Sequence, residues 1–124
     1  MNSSLDLFAK DEKKSGASIR YWMPTVVHDI VENFHPLKII AFGSVVRGDM
    51  GLDSDLDLLV IFDKLLRQEV ISLMGKVRRA ITAPIPCDVI VADIKEFTER
   101  QNVNGSMMYW PAHEGEIVYE RTAS

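Results

Sequence analysis

The sequence contains a single cysteine, Cys87, so no disulfide bond can form within the chain. One thiol inside an apolar run is typical of a reducing compartment, which predicts a cytoplasmic protein. Residues 1–20 lack the apolar core of a signal peptide, and no apolar run approaches the roughly 18 residues of a membrane span. The sequence therefore predicts no membrane association.

The sequence also lacks an excess of basic over acidic residues. Lys and Arg number 14 against 18 Asp and Glu, which leaves a formal net charge of −4. A protein that holds a long nucleic acid usually needs a basic surface, because neutralised phosphates supply much of the affinity. The mild cluster of Lys76, Arg78 and Arg79 lies in a helical pattern and is interpreted as a solvated helix face. The balance favours a small nucleotide over a polymer and leaves open a local basic strip.

The chain length sets the domain organisation. With 124 residues, the chain is long enough for one domain that needs neither a disulfide nor a structural metal. Residues 1–20 are polar and are predicted to form a weakly ordered N-terminal arm. Residues 21–124 are predicted to be the single domain. The oligomeric state stays open, whether homo- or hetero-oligomer.

Short runs of apolar residues predict strands, and apolar residues that recur every three or four positions predict helices. The strands are expected at residues 37–42, 56–62, 87–91 and 116–119. Pro24 is expected to open one helix, and residues 66–81 form an amphipathic helix between the second and third strands. The predicted fold is α/β (α+β), a mixed twisted sheet of about four strands flanked by helices.

Two shorter helices are expected near the end of the chain. Asp93, with Glu96 three residues later, has the pattern of a capping box and predicts a helix through about Gln101. A helix over residues 105–113 is expected to break at Pro111.

Three aspartates stand at the beginnings of two predicted strands. Asp55 and Asp57 flank Leu56, and side chains two residues apart in a strand point the same way. Two carboxylates this close repel each other unless a cation lies between them. The third aspartate, Asp88, begins the next apolar run.

The connections predict that these aspartates meet. The segment 43–54 would join antiparallel neighbours, whereas the helix at 66–81 is the crossover expected between parallel strands. Parallel strands begin at the same edge of a sheet, so Asp88 should lie beside Asp55 and Asp57. Gly43 and Ser44 would then close the cluster from the end of the first strand.

Such a cluster has a definite chemistry. Carboxylates suit Mg²⁺, which takes oxygen ligands and shares its shell with substrate phosphates. Two ions can activate an attacking oxygen and neutralise the leaving one. Gly43 lets the backbone approach a phosphate because it has no Cβ, and Ser44 adds a hydroxyl and N–H groups for an anion.

Two further residues of this segment are nucleotide-binding candidates with open alternatives. Arg47 could contact a phosphate, or it could pair with Asp49 or Asp53 in the loop. Ser54 could contact the nucleotide, or it could only cap the turn before the second strand.

These residues resemble a known family. Gly43-Ser44, ten intervening residues and Asp55-Leu56-Asp57 match the G-S-x10-D-x-D signature of the DNA polymerase β-like nucleotidyltransferase superfamily. The longer stretch GSVVRGDMGLDSDLDLLV resembles the minimal nucleotidyltransferases, the MNT family. The resemblance covers roughly residues 24–121, including EGEIVYER near the end.

The resemblance implies roles for the site residues. Gly43 and Ser44 would bind the triphosphate of ATP, and Asp55 and Asp57 would bind two Mg²⁺ ions. Asp88 would act with that pair on the ion that activates the acceptor hydroxyl, which would attack the α-phosphate. Asp55, Asp57 and Asp88 are thus the predicted catalytic and metal-binding residues.

The resemblance also implies a partner. Many minimal members are antitoxins encoded beside a HEPN ribonuclease, and some transfer AMP from ATP onto a tyrosine of that toxin. The chain has no Arg followed four to six residues later by His, the toxin's own pattern, so it would be the antitoxin. Two alternatives stay open: neutralisation by complex formation without transfer, and adenylylation of a small molecule such as an antibiotic.

Other conspicuous residues have plainer interpretations. His28, His35 and His113 lack the spacing of metal ligands, and Cys87 is expected to be a buried structural thiol on the opposite strand face from Asp88. The apolar segment 107–110 is expected to pack on the sheet, with a partner-binding patch as the alternative.

Overall fold

The computed structural model describes residues 16–48 and 55–122. The elements follow in the order α1 (Gly16–Phe34), β1 (Lys38–Phe42), α2 (Ser44–Arg47), β2 (Leu56–Phe62), α3 (Val70–Ala80), β3 (Cys87–Asp93), α4 (Ile94–Arg100), α5 (Tyr109–Glu114) and β4 (Glu116–Glu120). A turn of 3-10 helix, Arg67–Glu69, precedes α3. In this part of the chain no helix is both long and apolar enough to cross a membrane.

The four strands form one mixed sheet with the order β3-β2-β1-β4. β1 runs antiparallel to both β2 and β4, and β2 runs parallel to β3. The parallel pair is joined through α3, as expected for a crossover connection. The predicted fold class, a mixed sheet of four strands flanked by helices, is confirmed.

Alternation along the strands divides the core into two layers. On one face, the side chains of Leu56, Leu58 and Val60 are buried in one cluster with residues of α1 and α3. On the other face, Leu59 and Ile61 are buried against Phe97 and Met108. β2 is therefore covered on both sides, which explains its nearly continuous apolar sequence. Asp57 interrupts that sequence and lies on the same face as Leu59.

The first helix is longer than predicted. α1 begins at Gly16, so Pro24 lies inside the helix, and residues 16–20 of the predicted arm are helical. Ile19 and Met23 are buried in the core one turn apart, and Val26 and Ile30 continue that buried line. Burial of these side chains offsets the roughly 3 kcal/mol that an internal proline costs a helix. Residues 1–15 lie outside the described residues.

The prediction for Pro111 is wrong in its detail. Pro111 is the third residue of α5 rather than its end, and the helix continues to Glu114. A proline in the first turn is tolerated because the N–H that it lacks has no partner within the helix at that position. At α4 the predicted N-cap is confirmed, since the Glu96 amide donates to Asp93 Oδ1 at 2.8 Å.

Replacing Gly115 with alanine is expected to destabilise the fold by about 2–3 kcal/mol, because the junction of α5 and β4 has no space for a side chain at this position. A Cβ there would overlap the Pro111 carbonyl oxygen and the Ile40 side chain. Urea unfolding measures the change. Gly75→Ala in α3 is the matched control: its Cβ meets only the flexible Arg79 guanidinium, at 3.1 Å, and alanine favours helix. Equal midpoints for Gly115→Ala and the wild type would contradict this tight packing.

Candidate active site

The strand register brings two of the predicted aspartates together. Asp57 of β2 is the direct neighbour of Asp88 in the parallel strand β3. On its other side Asp57 pairs with Phe42, the last residue of β1. Asp55 lies just before β2, two residues from Asp57. The antiparallel and parallel pairings that were predicted from the connections therefore gather the aspartates at one edge of the sheet.

The end of β1 closes against the Asp57 carboxylate. Gly43 follows β1 directly and has φ +82° and ψ −153°, a conformation that is essentially confined to glycine. A Cβ at this position would overlap Asp57 Oδ2. The carboxylate thus occupies the space that any other residue at position 43 would need for its side chain. Gly43 is required both by its backbone conformation and by this close approach.

Ser44 begins α2 immediately after that glycine. The amides of Val46 and Arg47 donate to the Gly43 carbonyl, each at 3.1 Å, so the turn that carries Ser44 is tightly wound. Ser44 is therefore held at the same sheet edge as Asp57.

The electrostatics of Asp57 reflect its surroundings. Burial raises the pKa of Asp57, and the negative charges of Asp88 and Asp55 raise it further. The Arg47 guanidinium acts in the opposite direction and lowers this pKa. Asp55, Asp88 and Arg47 are therefore close enough to influence Asp57. Ionisation of Asp57 is therefore less favourable than that of an isolated carboxyl, and a bound cation would offset the repulsion.

Arg47 makes a salt bridge with a residue that the sequence reasoning did not consider. Its Nη1 lies 3.8 Å from Glu114 Oε1 at the end of α5. Asp49 and Asp53, the predicted partners, lie outside the described residues, as does Ser54. Because the same guanidinium also acts on Asp57, a contact with phosphate stays a prediction beside the observed salt bridge.

Arg78 is a site residue that sequence reasoning missed. It was interpreted as part of a solvated helix face, but its Nη1 lies 3.9 Å from Asp88 Oδ1. Both side chains are largely exposed, so the pair contributes little to stability. The crossover topology contained a signal for this contact, because the last turn of the helix precedes the start of β3, where Asp88 lies.

A groove of about 520 Å³ opens from these carboxylates. It runs along the β3 edge between α3 and the segment before α5, and sequence reasoning did not anticipate it. Apart from Asp57, Asp88 and Arg78, its lining is mainly apolar: Phe42, Ile71, Met74, Gly75, Val89, Ile90 and Met107. Two of these residues are strongly exposed, Ile71 at 79% and Met107 at 62%. The carboxylates therefore lie at one end of an open, largely apolar surface.

The donor set fits Mg²⁺ only together with a phosphate ligand. Within residues 16–48 and 55–122, no three His, Cys, Asp or Glu side chains are grouped so as to hold a metal ion. Mg²⁺ is commonly bound by one or two carboxylates plus substrate phosphates. Asp57 and Asp88 can supply those carboxylates, and their mutual repulsion is what a divalent cation would relieve.

Two other sequence predictions have clear outcomes. Cys87 is buried, and this burial raises the pKa of its thiol to about 11, which agrees with a structural thiol. The segment 107–110 divides: Met108 is buried in the core, whereas Met107 and Trp110 are exposed. Packing on the sheet therefore accounts for Met108 but not for Met107 or Trp110.

Neighbouring carboxylates at a sheet edge, with a glycine turn packed against one of them, have the chemistry that suits a divalent cation and its phosphate ligands. A family model described as "Nucleotidyltransferase domain" matches residues 24–119. The chain therefore belongs to the nucleotidyltransferase domain family. Domains of this family generally use a nucleoside triphosphate and a divalent metal ion.

A solved structure supports this assignment. The chain is 25% identical to a provisionally assigned nucleotidyltransferase from Sulfolobus solfataricus, with a TM-score of 0.61. The alignment covers 91% of this chain and 87% of that one. No curated protein matches the sequence significantly. The family and the fold together identify a transferase that acts by nucleotidyl transfer.

Proposed function

We propose that this protein uses Mg²⁺ to transfer AMP from ATP onto a hydroxyl group of a partner protein, a HEPN toxin, and acts as its antitoxin. The observation that carries the proposal is the pairing of Asp57 with Asp88 at the mouth of an open apolar groove. The partner class comes from the resemblance to minimal nucleotidyltransferases.

The chain's own residues would hold the nucleotide from one side. Gly43 and Ser44 are the residues proposed to hold the triphosphate, and Ser44 offers a hydroxyl group to its oxygens. Arg47 adds a positive charge that already acts on Asp57. When bound, two Mg²⁺ ions would neutralise the phosphate oxygens and the acceptor oxygen. Asp55, Asp57 and Asp88 are the carboxylates proposed to hold these ions.

The acceptor would approach from the other side. The acceptor oxygen forms a bond to the α-phosphorus as the bond from that phosphorus to the bridging oxygen breaks, and pyrophosphate leaves. Asp88 is exposed and lines the groove, so its carboxylate can accept the hydroxyl proton. The remaining contribution of the protein is positioning of the two reactants and electrostatic stabilisation, as in phosphoryl transfer generally.

The groove supports a protein as the acceptor. Ile71 and Met107 project into solvent on either side of it, and exposed apolar side chains beside a functional site are typical of protein contacts. A partner segment that carries the acceptor hydroxyl among apolar side chains could cover Ile71 and Met107. Its hydroxyl could then reach Asp88.

Intact-mass spectrometry tests the proposal. The proteins encoded by the genes beside this one are incubated with this chain and Mg-ATP, and we expect one of them to gain the mass of an AMP unit. The double variant Asp55→Asn/Asp57→Asn should abolish the gain, because it removes two of the three carboxylates. Asp63→Asn serves as a folded control, because Asp63 follows the other end of β2 and makes an exposed ion pair with Arg121.

Other outcomes would point elsewhere. A stable complex without added mass would contradict transfer and favour neutralisation by complex formation. Turnover of ATP with a free small-molecule hydroxyl and no protein partner would instead favour small-molecule adenylylation.

A further inference from the structure

Helix α5 carries an exposed aromatic residue beside the proposed phosphate site. Trp110 and Glu114 are four residues apart in α5, so their side chains share one side of the helix. Met107 lies three residues before Trp110, in the turn that leads into the helix. All three side chains are exposed, whereas Met108 and Pro111 are buried against the sheet. The residues 107, 110 and 114 therefore form a line along one side of the segment.

Both ends of that line contact the proposed site. Met107 lines the groove that contains Asp57 and Asp88. Glu114 lies 3.8 Å from Arg47, whose charge acts on Asp57. Trp110 lies between Met107 and Glu114 along the chain. Four residues of α-helix rise about 6 Å, a distance comparable to the ribose that separates a phosphate from its base.

The ring of Tyr109 packs against the Trp110 indole. The contact is edge to face, with ring centroids 5.1 Å apart, and Tyr109 also stacks on His113 at 4.2 Å. His113 Nε2 in turn lies 3.0 Å from Asn102 Oδ1. Trp110 is nevertheless 54% exposed. A large aromatic surface is thus held in place and left uncovered, which lowers the entropy cost of stacking a planar ligand on it.

We propose that Trp110 stacks on the base of the bound nucleoside triphosphate and favours a purine over a pyrimidine. This inference rests on the proposed function, because it takes the phosphates to lie at Gly43 and Ser44. The wider purine ring system covers more of the indole than a pyrimidine does, so ATP and GTP bind more tightly than CTP and UTP. The base contributes to affinity through this stack, and the phosphates contribute independently of it.

The chain offers a direct optical test, because it contains only two tryptophans. Trp22→Phe leaves Trp110 as the single tryptophan, with Trp22 located on α1 among residues of the opposite face of the sheet. ATP and inorganic tripolyphosphate are each titrated with Mg²⁺, and binding is followed in parallel by calorimetry. We expect ATP to quench the fluorescence of Trp110, and tripolyphosphate to bind without this change.

A substitution gives a second, independent measurement. Trp110→Ala is expected to weaken ATP binding about tenfold, the scale of one base–aromatic stack, and to leave tripolyphosphate binding unchanged. Ile117→Ala is the matched control, since Ile117 is also an exposed apolar residue but lines a groove with α1 instead.

The outcomes separate this inference from the proposed function. If ATP and tripolyphosphate bind while Trp110 fluorescence and the affinity of Trp110→Ala for ATP stay unchanged, the stacking inference is overturned and the nucleotide site survives. If neither ligand binds to the wild type, both the nucleotide site and the stack are wrong.

Discussion

Asp57→Asn is expected to lower the rate of nucleotidyl transfer by at least about 10²–10³-fold, the scale measured when one stabilising group is removed from an active site. Asp57 is the central carboxylate of the cluster, with Asp88 beside it and Gly43 against it. Asparagine keeps the shape of the side chain but removes the charge that a cation needs. Single-turnover kinetics with radiolabelled ATP would measure the loss.

The same substitution is expected to raise the melting temperature of the ligand-free protein at pH 7. Burial and the charges of Asp88 and Asp55 hold the pKa of Asp57 above its usual value of about 3.9. Because the pKa of Asp57 is higher in the folded state than in the unfolded chain, protonation of Asp57 favours folding. This contribution to the free energy of unfolding is present below about pH 3.9 and is lost as the pH rises through the folded-state pKa. At neutral pH the ionised carboxylate therefore costs stability, and asparagine removes that cost.

Bound Mg²⁺ and ATP should make the wild type more stable than Asp57→Asn. Mg²⁺ with ATP should stabilise the wild type by mass action and stabilise Asp57→Asn much less. Asp63→Asn is the matched control, because Asp63 follows the other end of β2 and makes an exposed ion pair with Arg121. It should lose little stability and no activity. A lower melting temperature for ligand-free Asp57→Asn at pH 7 would show that the Asp57 charge is already compensated in the fold.

Gly43→Ala is expected to reduce both activity and stability. The added Cβ would overlap Asp57 Oδ2 and push the carboxylate away from Asp88. The backbone conformation of Gly43 is also unfavourable for alanine, which costs about 1–3 kcal/mol. We expect a loss of transfer rate of about 10²-fold, since small displacements of reacting groups have effects of this size. Activity per folded molecule and urea unfolding separate the two effects.

Gly48 provides a control within the same short segment. It also has φ +82°, but nothing lies within 4 Å of the position that its Cβ would take. Gly48→Ala should therefore lose about 1–2 kcal/mol of stability through the left-handed conformation alone, with little effect on activity. Equal activity losses in both variants would mean that backbone strain, and not displacement of Asp57, causes the effect.

Much of the site could be predicted from local sequence because its parts obey local rules. The two-residue period of a strand predicted that Asp55 and Asp57 point the same way. The short connection before β2 and the helical crossover after it predicted the antiparallel and parallel pairings, which the structure confirms. Those pairings alone were enough to bring Asp88 beside Asp57.

The start of α1 could not be predicted from Pro24, because local propensity and tertiary burial act in opposite directions there. The proline disfavours a continuous helix locally, whereas the core gains by burying Ile19 and Met23. That gain depends on where β2 and α3 lie, which the sequence around Pro24 does not reveal.

The sequence by itself determined the nucleotidyltransferase signature, the pairing of β2 with β1 and β3, and the meeting of the carboxylates at one edge of the sheet. These follow from the motif itself, from strand periodicity and from short-range connection rules. Only the tertiary structure decided that Arg78 reaches Asp88, that Arg47 pairs with Glu114, and that Met107 lines the groove beside Asp57 and Asp88. The physical reason is that these contacts join side chains from different elements. Their distances depend on how helices pack on the sheet, and no spacing within one element encodes that packing.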